Sequence, residues 1–404
     1  MFDAERFNIL PSNAEAELLV HCTRLDIDPT RAKRIHALLE LEIDWTKLFS
    51  LAQRNALIPL LYFQLNKIAP SLVPSDRLKQ LNDRFQDNSA LNTLLTAEMI
   101  LLVDLFEQNQ IPAIPYKGPA IGAGVYGQAA LRQFADLDIL VRETDVWKAT
   151  DLLLDRGYKA HFVIPAKRRS AFIRLSYVRS FNRDSTTVEL HWRLAPRFFG
   201  PHFDTSKLWE RTRKIPLQGS SVRIPFSDDL ILMLCIHGAK DCWEKLEWVC
   251  GLAEVVRADP ELDWDDLLKR AKDAQAIGVV SLGLLLAHDL LEAPIPVNII
   301  RKLRLRSRED MIHQIVSRFF TDSSASFPLA QRIRLHLKLM DSFSEKARYC
   351  LRLGLTTTPV DWEMISLPES ALFLYYPLRA LRLLKKYGRK STPITAKDRS
   401  VGPV

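Results

Sequence analysis

Apolar residues recur at helical spacing over most of the chain. Asp28-Pro29-Thr30 predicts the start of a short helix through His36 and Leu39, because proline suits a first turn. Asp44-Trp45 predicts another, with Leu48, Leu51 and Ala52 as its apolar stripe. Ser75 is the expected cap of a long amphipathic helix to about Asn109, with Leu78, Leu81, Phe85, Leu91, Leu94, Leu95 and Met99 at near-helical spacing. Residues 1–110 therefore read as an N-terminal helical region.

The period then shortens. Ile111–Tyr116 reads as an extended segment between prolines, Ala120–Tyr126 as a short helix, and Asp136–Val141 as a β-branched, apolar strand. Thr144 is the expected cap of a helix that stops at Gly157. Tyr177–Asn182 and Thr186–Trp192 flank Arg183-Asp184-Ser185 as a hairpin, and Val222–Pro225 adds a strand. Residues 111–226 thus form a small α+β unit. Residues 227–390 return to helical spacing, with breaks near Pro260, Pro294–Pro296, Phe327-Pro328 and Pro359; residues 391–404 read as a disordered tail.

The carboxylates of the central unit carry the chemistry. Asp136 and Asp138 are two apart on one strand, so both leave the same face, about 6–7 Å apart. Like charges at the end of an apolar strand repel and lose hydration, and a divalent cation between them removes that cost. Glu189 adds a third carboxylate from Val188-Glu189-Leu190-His191-Trp192, where Val188, Leu190 and Trp192 point to the core and Glu189 and His191 to the polar face. Oxygen donors of this kind suit Mg²⁺ or Mn²⁺ rather than Zn²⁺, and such a site positions a triphosphate for in-line displacement. Tyr116-Lys117-Gly118 lies between a strand and a helix, where a flexible glycine and exposed amides suit phosphate and Lys117 adds positive charge. Arg132 either contacts phosphate or pairs with Asp136. His191 is compatible with orienting a ligand, touching phosphate or carrying a proton, and equally with a satisfied histidine beside a structural tryptophan.

Tyr-Lys-Gly-Pro-Ala (116–120), Val-Tyr-Gly (125–127), Leu-Arg-Gln-Phe-Ala-Asp-Leu-Asp-Ile-Leu-Val (131–141) and Val-Glu-Leu-His-Trp (188–192) together resemble the uncharacterised bacterial nucleotidyltransferase family, the fifth NTP-transferase type of the polymerase-β-like superfamily. Trp45-x-x-Leu-x-x-x-Ala, His237-Gly-Ala-Lys240, Trp243–Trp248 and Tyr375–Leu384 extend the likeness over nearly the whole chain. The resemblance implies a mixed-sheet nucleotidyltransferase core flanked by helical regions. It also implies Asp136, Asp138 and Glu189 as the metal-binding acids, and an NTP as substrate. Lys117 and Gly118 occupy the place of the superfamily's Gly-Ser phosphate loop, but Pro119 follows Gly118 where a serine is expected. Asp241 stands where a second histidine often follows the lysine, and Gly251 where an aspartate often sits. These departures motivate an alternative, a nucleotidyltransferase-fold binding protein without catalysis.

Charge and composition narrow the setting. The 404 residues carry a net charge of +8. Residues 301–404 hold 20 Lys+Arg against 9 Asp+Glu, so the excess is C-terminal. That quarter suits nucleic acid, an acidic partner or anionic lipid, or is a solvated helix face; the Glu369–Tyr387 helix has a broad apolar face with a basic edge. Asp241, Glu244 and Glu247 read as solvated helix charges. Cys235, Cys242 and Cys250 read as buried thiols on one helical stretch. No apolar run reaches the 18–20 residues of a membrane span, and no secretory leader is apparent, so a cytoplasmic setting is expected. The His-Glu-x-x-His, Gly-x-Ser-x-Gly and P-loop patterns are absent. A small molecule, a protein hydroxyl and an RNA 3′ end are all compatible acceptors.

Overall fold

A computed structural model of the chain describes residues 13–200, 203–304, 309–321, 327–355 and 377–378. The expected helix over Glu369–Tyr387 and the tail from Ser391 therefore lie outside the described residues, apart from helical Pro377 and Leu378. The described residues begin with α1 (Ala14–His21), α2 (Pro29–Leu39), α3 (Trp45–Arg54), α4 (Ile58–Ile68) and α5 (Ser75–Gln108). The Asp28 carboxylate accepts from the Arg31 amide at 2.9 Å, and that of Asp44 from Lys47 at 3.0 Å, so each satisfies a donor that a helix start leaves open. Ser75 does not cap α5: Pro74 holds the cap position, and Ser75 is already helical.

The middle of the chain alternates β1 (Ala113–Pro115), α6 (Pro119–Gly124), β2 (Asp136–Val141), α7 (Val146–Asp155), β3 (Lys159–Ala160), α8 (Arg169–Leu175), β4 (Val178–Arg183), β5 (Thr186–His191), β6 (Thr212–Leu217) and β7 (Ser220–Pro225). Strands β1 to β5 form one mixed sheet in the order β1-β2-β5-β4-β3, in which only β2 and β5 run parallel. The fold is α+β, as the pattern predicts. Strands β3 and β6 are additions: β3 has two residues, too short to show a period, and in β6 the adjacent Arg213 and Lys214 and the internal Pro216 obscure the strand pattern. β6 and β7 form a separate two-stranded ribbon. Its Gln218-Gly219 turn has positive φ at both positions, which matches the twist of the strands it joins. Thr144 lies in a 3-10 turn, Glu143–Asp145, and makes no helix cap; α7 starts at Val146.

Among the described residues there follow α9 (Ser227–Lys240), α10 (Leu246–Ala258), α11 (Trp264–Asp273), α12 (Ile277–Leu291), α13 (Val297–Arg304), α14 (Glu309–Phe319), α15 (Leu329–Leu339) and α16 (Phe343–Leu355). The three cysteines do not share a helix: Cys235 lies on α9, Cys242 in the following turn at φ +56°, and Cys250 on α10, although all three thiols are buried and free. Trp243, also at positive φ, is fully buried between α9 and α12, where Gly238 and Gly283 leave room for its indole.

The sheet separates two cores. On one face Leu137, Ile139, Val188 and Leu190 pack with Leu95, Met99, Leu102, Val103 and Phe106 of α5 and with Val146, Ala149 and Leu153 of α7. On the other, Ile114, Tyr116 and Leu140 join a core shared by α1–α4 and the helices from α9 onward. Among the described residues one helix, α5, is long and apolar enough by length and composition to cross a membrane, a test that the core helix of a globular fold also passes. Its apolar face is the one packed on the sheet, and its Glu98 receives Arg156, Arg183 and the Tyr158 hydroxyl.

Two outcomes follow from this packing. A Cβ at Gly238 would lie 2.6 Å from the Trp243 ring, so Gly238→Ala overpacks the α9–α12 seam. We expect a loss of about 1–3 kcal/mol in urea unfolding, with an unchanged m-value. Burial, aided by the nearby Arg332 charge, lowers His336 to about 4 in the folded chain. The unfolded chain, with histidine near 6.5, therefore binds the extra proton between about pH 6.5 and 4. Stability falls as pH drops through that window, and His336→Phe should make the fall shallower in denaturation measured at each pH.

Candidate active site

Register places the acids. In the parallel pair, Asp138 lies opposite Glu189, Asp136 opposite Thr187, and Leu140 opposite His191. Asp136, Asp138, Glu189 and His191 thus share the sheet face turned toward α9, while the alternate residues fill the α5 core. Asp138 is 3% exposed, and two groups compensate its charge. The Lys117 ammonium lies 2.8 Å from Asp138 Oδ1, and His191 Nε2 lies 2.9 Å from the same oxygen and 3.2 Å from Glu189 Oε2. Because both neighbours are acceptors, Nε2 carries the proton; His191 Nδ1 is buried with no partner.

Charge balance sets the protonation states. Burial opposes ionisation of Asp138, but Lys117 and the His191 hydrogen bond outweigh it and hold the carboxyl far below its usual range. Glu189 is lowered in the same way, its burial overcome by His191. Burial likewise opposes the charge on His191 and Lys117, yet the adjacent carboxylates raise both. Asp136 has no hydrogen-bond or ion-pair partner among the described residues, and the Asp138 charge, with burial, pushes it up to about 6. Asp136 is thus the least compensated carboxylate of this face.

The other predicted residues are placed as follows. Gly118 sits at φ +53°, and a Cβ there would crowd the Asp136 carbonyl at 3.3 Å, so glycine lets the β1–α6 loop pass close to the start of β2. Arg132 does not pair with Asp136. It is buried against Glu247 of α10, its Nε donating to Glu247 Oε1 at 2.6 Å and its Nη1 approaching the Gly118 carbonyl at 3.4 Å. Glu247 is therefore a buried partner, not a solvated charge. The same correction holds for Asp241, whose carboxylate takes Lys240 at 2.6 Å and Arg332 at 3.4 Å; Glu244 accepts from the Phe327 amide. At Gly251, inside α10, a Cβ would meet nothing within 4 Å.

His237 and Lys240, three apart on one predicted helix face that either borders the cleft or is a plain surface pair, do border the enclosure. Lys117 Nζ lies 3.4 Å from His237 Nδ1, and His237 stacks edge-on to Trp248. His237 is 3.7 Å from Asp241, and Lys240 reaches the Tyr177 hydroxyl at 3.5 Å. Tyr177 and Tyr116 flank the His191 ring, at centroid distances of 6.0 and 5.5 Å. A closed circuit of side chains thus joins the sheet to the C-terminal turn of α9. Asn88 and Asn92 of α5 donate to the carbonyls of Ala129, Ala130 and Arg132 and so anchor the loop that leads into β2. The three-residue spacing of His237 and Lys240 was the one signal of the α9 wall; the asparagines left none.

The donor atoms of Asp138, Glu189 and His191 lie within 4.8 Å of one another, a grouping able to hold a metal ion, with Asp136 two residues along the same strand. The acidic face lies on the small mixed sheet and is walled by the C-terminal turn of α9. The uncharacterised nucleotidyltransferase family model matches residues 42–292, more than half of the chain, and the chain belongs to that family. No curated protein and no solved structure matches it.

The Arg132–Glu247 pair yields a direct prediction. Arg132→Met leaves a buried carboxylate without its partner and should cost about 3–5 kcal/mol. Adding Glu247→Gln should recover part of that loss, read as a positive coupling in a double-mutant cycle by chemical denaturation.

Proposed function

We propose that this chain moves a nucleoside monophosphate from an NTP to a hydroxyl-bearing acceptor, with release of pyrophosphate, and that it depends on Mg²⁺ or Mn²⁺. The observation that carries the reading is the strand register, which sets Asp138 beside Glu189 and Asp136 on the same face opposite Thr187. Carboxylate oxygens suit a hard divalent ion, and a single imidazole is compatible with Mn²⁺. Asp136, Asp138 and Glu189 would hold the ion, with His191 at hydrogen-bonding distance from two of them. When bound, such an ion neutralises polyphosphate charge and makes a hydroxyl easier to deprotonate.

The residues divide the remaining work. The acceptor oxygen forms a bond to the α-phosphorus, the bond from that phosphorus to the pyrophosphate oxygen breaks, and the acceptor proton leaves. Glu189 would take that proton, a role supported by a side chain 32% exposed against 2% for Asp138. Lys117 supplies positive charge beside Asp138, and Arg132 fixes the Gly118 backbone instead of meeting phosphate. His191 keeps the two carboxylates in register.

Asp136→Asn separates function from folding. The substitution removes a repelled charge and breaks no bond, so thermal stability should rise slightly. Pyrophosphate release from the four NTPs with Mg²⁺ or Mn²⁺, assayed with cell extract as acceptor source, should fall to background. Undiminished release by the variant would refute the assignment. Metal-dependent NTP binding with no release from the unaltered chain would favour the binding-only alternative.

A further inference from the structure

The loop after β1 is poorly equipped to hold a polyphosphate alone. Pro119 follows Gly118, so the chain offers neither a serine hydroxyl nor an amide N–H at that position, and α6 has only six residues. Positive charge comes instead from the opposite wall. Lys240 and Arg332 share a single carboxylate, Asp241, which leaves that wall cationic. The Lys240 side chain is only 15% exposed, and its Nζ is held by the Tyr177 hydroxyl and Asp241 Oδ2. Tyr177 packs on His191, which touches both Asp138 and Glu189. Lys117 reaches the same enclosure from the sheet side, through His237. Burial opposes the Lys240 charge, yet Tyr177 and Asp241 keep it protonated. Each ammonium has one carboxylate at contact distance, Asp138 for Lys117 and Asp241 for Lys240, which keeps both charged at the enclosure and able to share a further anion.

We propose that Lys240 binds the terminal phosphates of the nucleotide from the α9 wall, opposite Lys117, and so takes over the part that a serine-containing loop would play. The inference rests on the nucleotidyl-transfer reading and deepens it. Asp241 acts as the tether: it holds the ammonium in place before the polyphosphate arrives and shares it afterwards. The residue that departs from the family's pattern thereby gains a physical role.

The test uses the full chain, with Mg²⁺ and inorganic tripolyphosphate as a probe that has neither base nor acceptor. Calorimetry on the unaltered chain and on Lys240→Met, which keeps the apolar stem, should show tripolyphosphate and NTP binding weakened by about tenfold or more. Lys240→Arg should restore most of the affinity, a rescue that a purely structural lysine would not show. Should Lys240→Met fold poorly in circular dichroism, Lys240→Gln, which can still bond to Tyr177 and Asp241, should show the same loss. Equal binding of both ligands by the charge-removing variants and the unaltered chain would overturn the Lys240 role and leave the transferase reading standing. An unaltered chain that binds neither NTP nor tripolyphosphate would overturn both.

Discussion

The buried carboxylate of Asp138 is the constraint on which the site depends. A charge removed from water beneath a helical layer is tolerated only with opposite charge and hydrogen bonds at contact distance, because low-dielectric surroundings make both the desolvation cost and the pairing strong. Lys117 and His191 provide these at 2.8 and 2.9 Å. Each of them is itself buried and needs support. Lys117 lies over the Tyr116 ring and against His237, while His191 sits between two tyrosine rings. One acidic position on β2 thus requires aromatic and basic residues from the loop after β1, from β5, from the segment before β4, and from α9.

Helix α10 ties that site to the rest of the molecule through two adjacent residues. Glu247 secures Arg132, whose guanidinium reaches the Gly118 carbonyl, and Trp248 packs on His237, which touches Lys117. The start of α10 is held in turn by Asn55, just after α3: its side-chain oxygen takes the Leu246 amide and its carbonyl the Glu247 amide. The N-terminal helices, the helices after the sheet and the acidic strand are therefore connected by buried polar contacts as well as by apolar packing. Such contacts are directional, so they select one arrangement where apolar contact alone would allow several.

The departures from the family's pattern take on meaning in this setting. Asp241 is not a weakened histidine position but the shared partner of Lys240 and Arg332 on the wall facing the acids. Gly251 leaves open space on α10, where a larger side chain would be accommodated. The proline after Gly118 removes one amide donor from the β1–α6 loop, and His237 of α9 lies 3.4 Å from Lys117 in that loop.

Local signals in the chain were enough to read the capped helices at Asp28 and Asp44, the alternation that puts Asp136 and Asp138 on one strand face, and the second alternation around Glu189. Those features depend on nearest neighbours and on a period of two or 3.6 residues, which a sequence displays directly. Tertiary structure alone decided that β2 and β5 are neighbours and parallel, because pairing between residues some fifty positions apart has no local signature. It also turned Glu247 and Asp241, which look like ordinary helix charges, into buried partners of Arg132 and Lys240. The polarity of a residue is written in the chain; whether water or another charge satisfies it depends on what the fold packs against it.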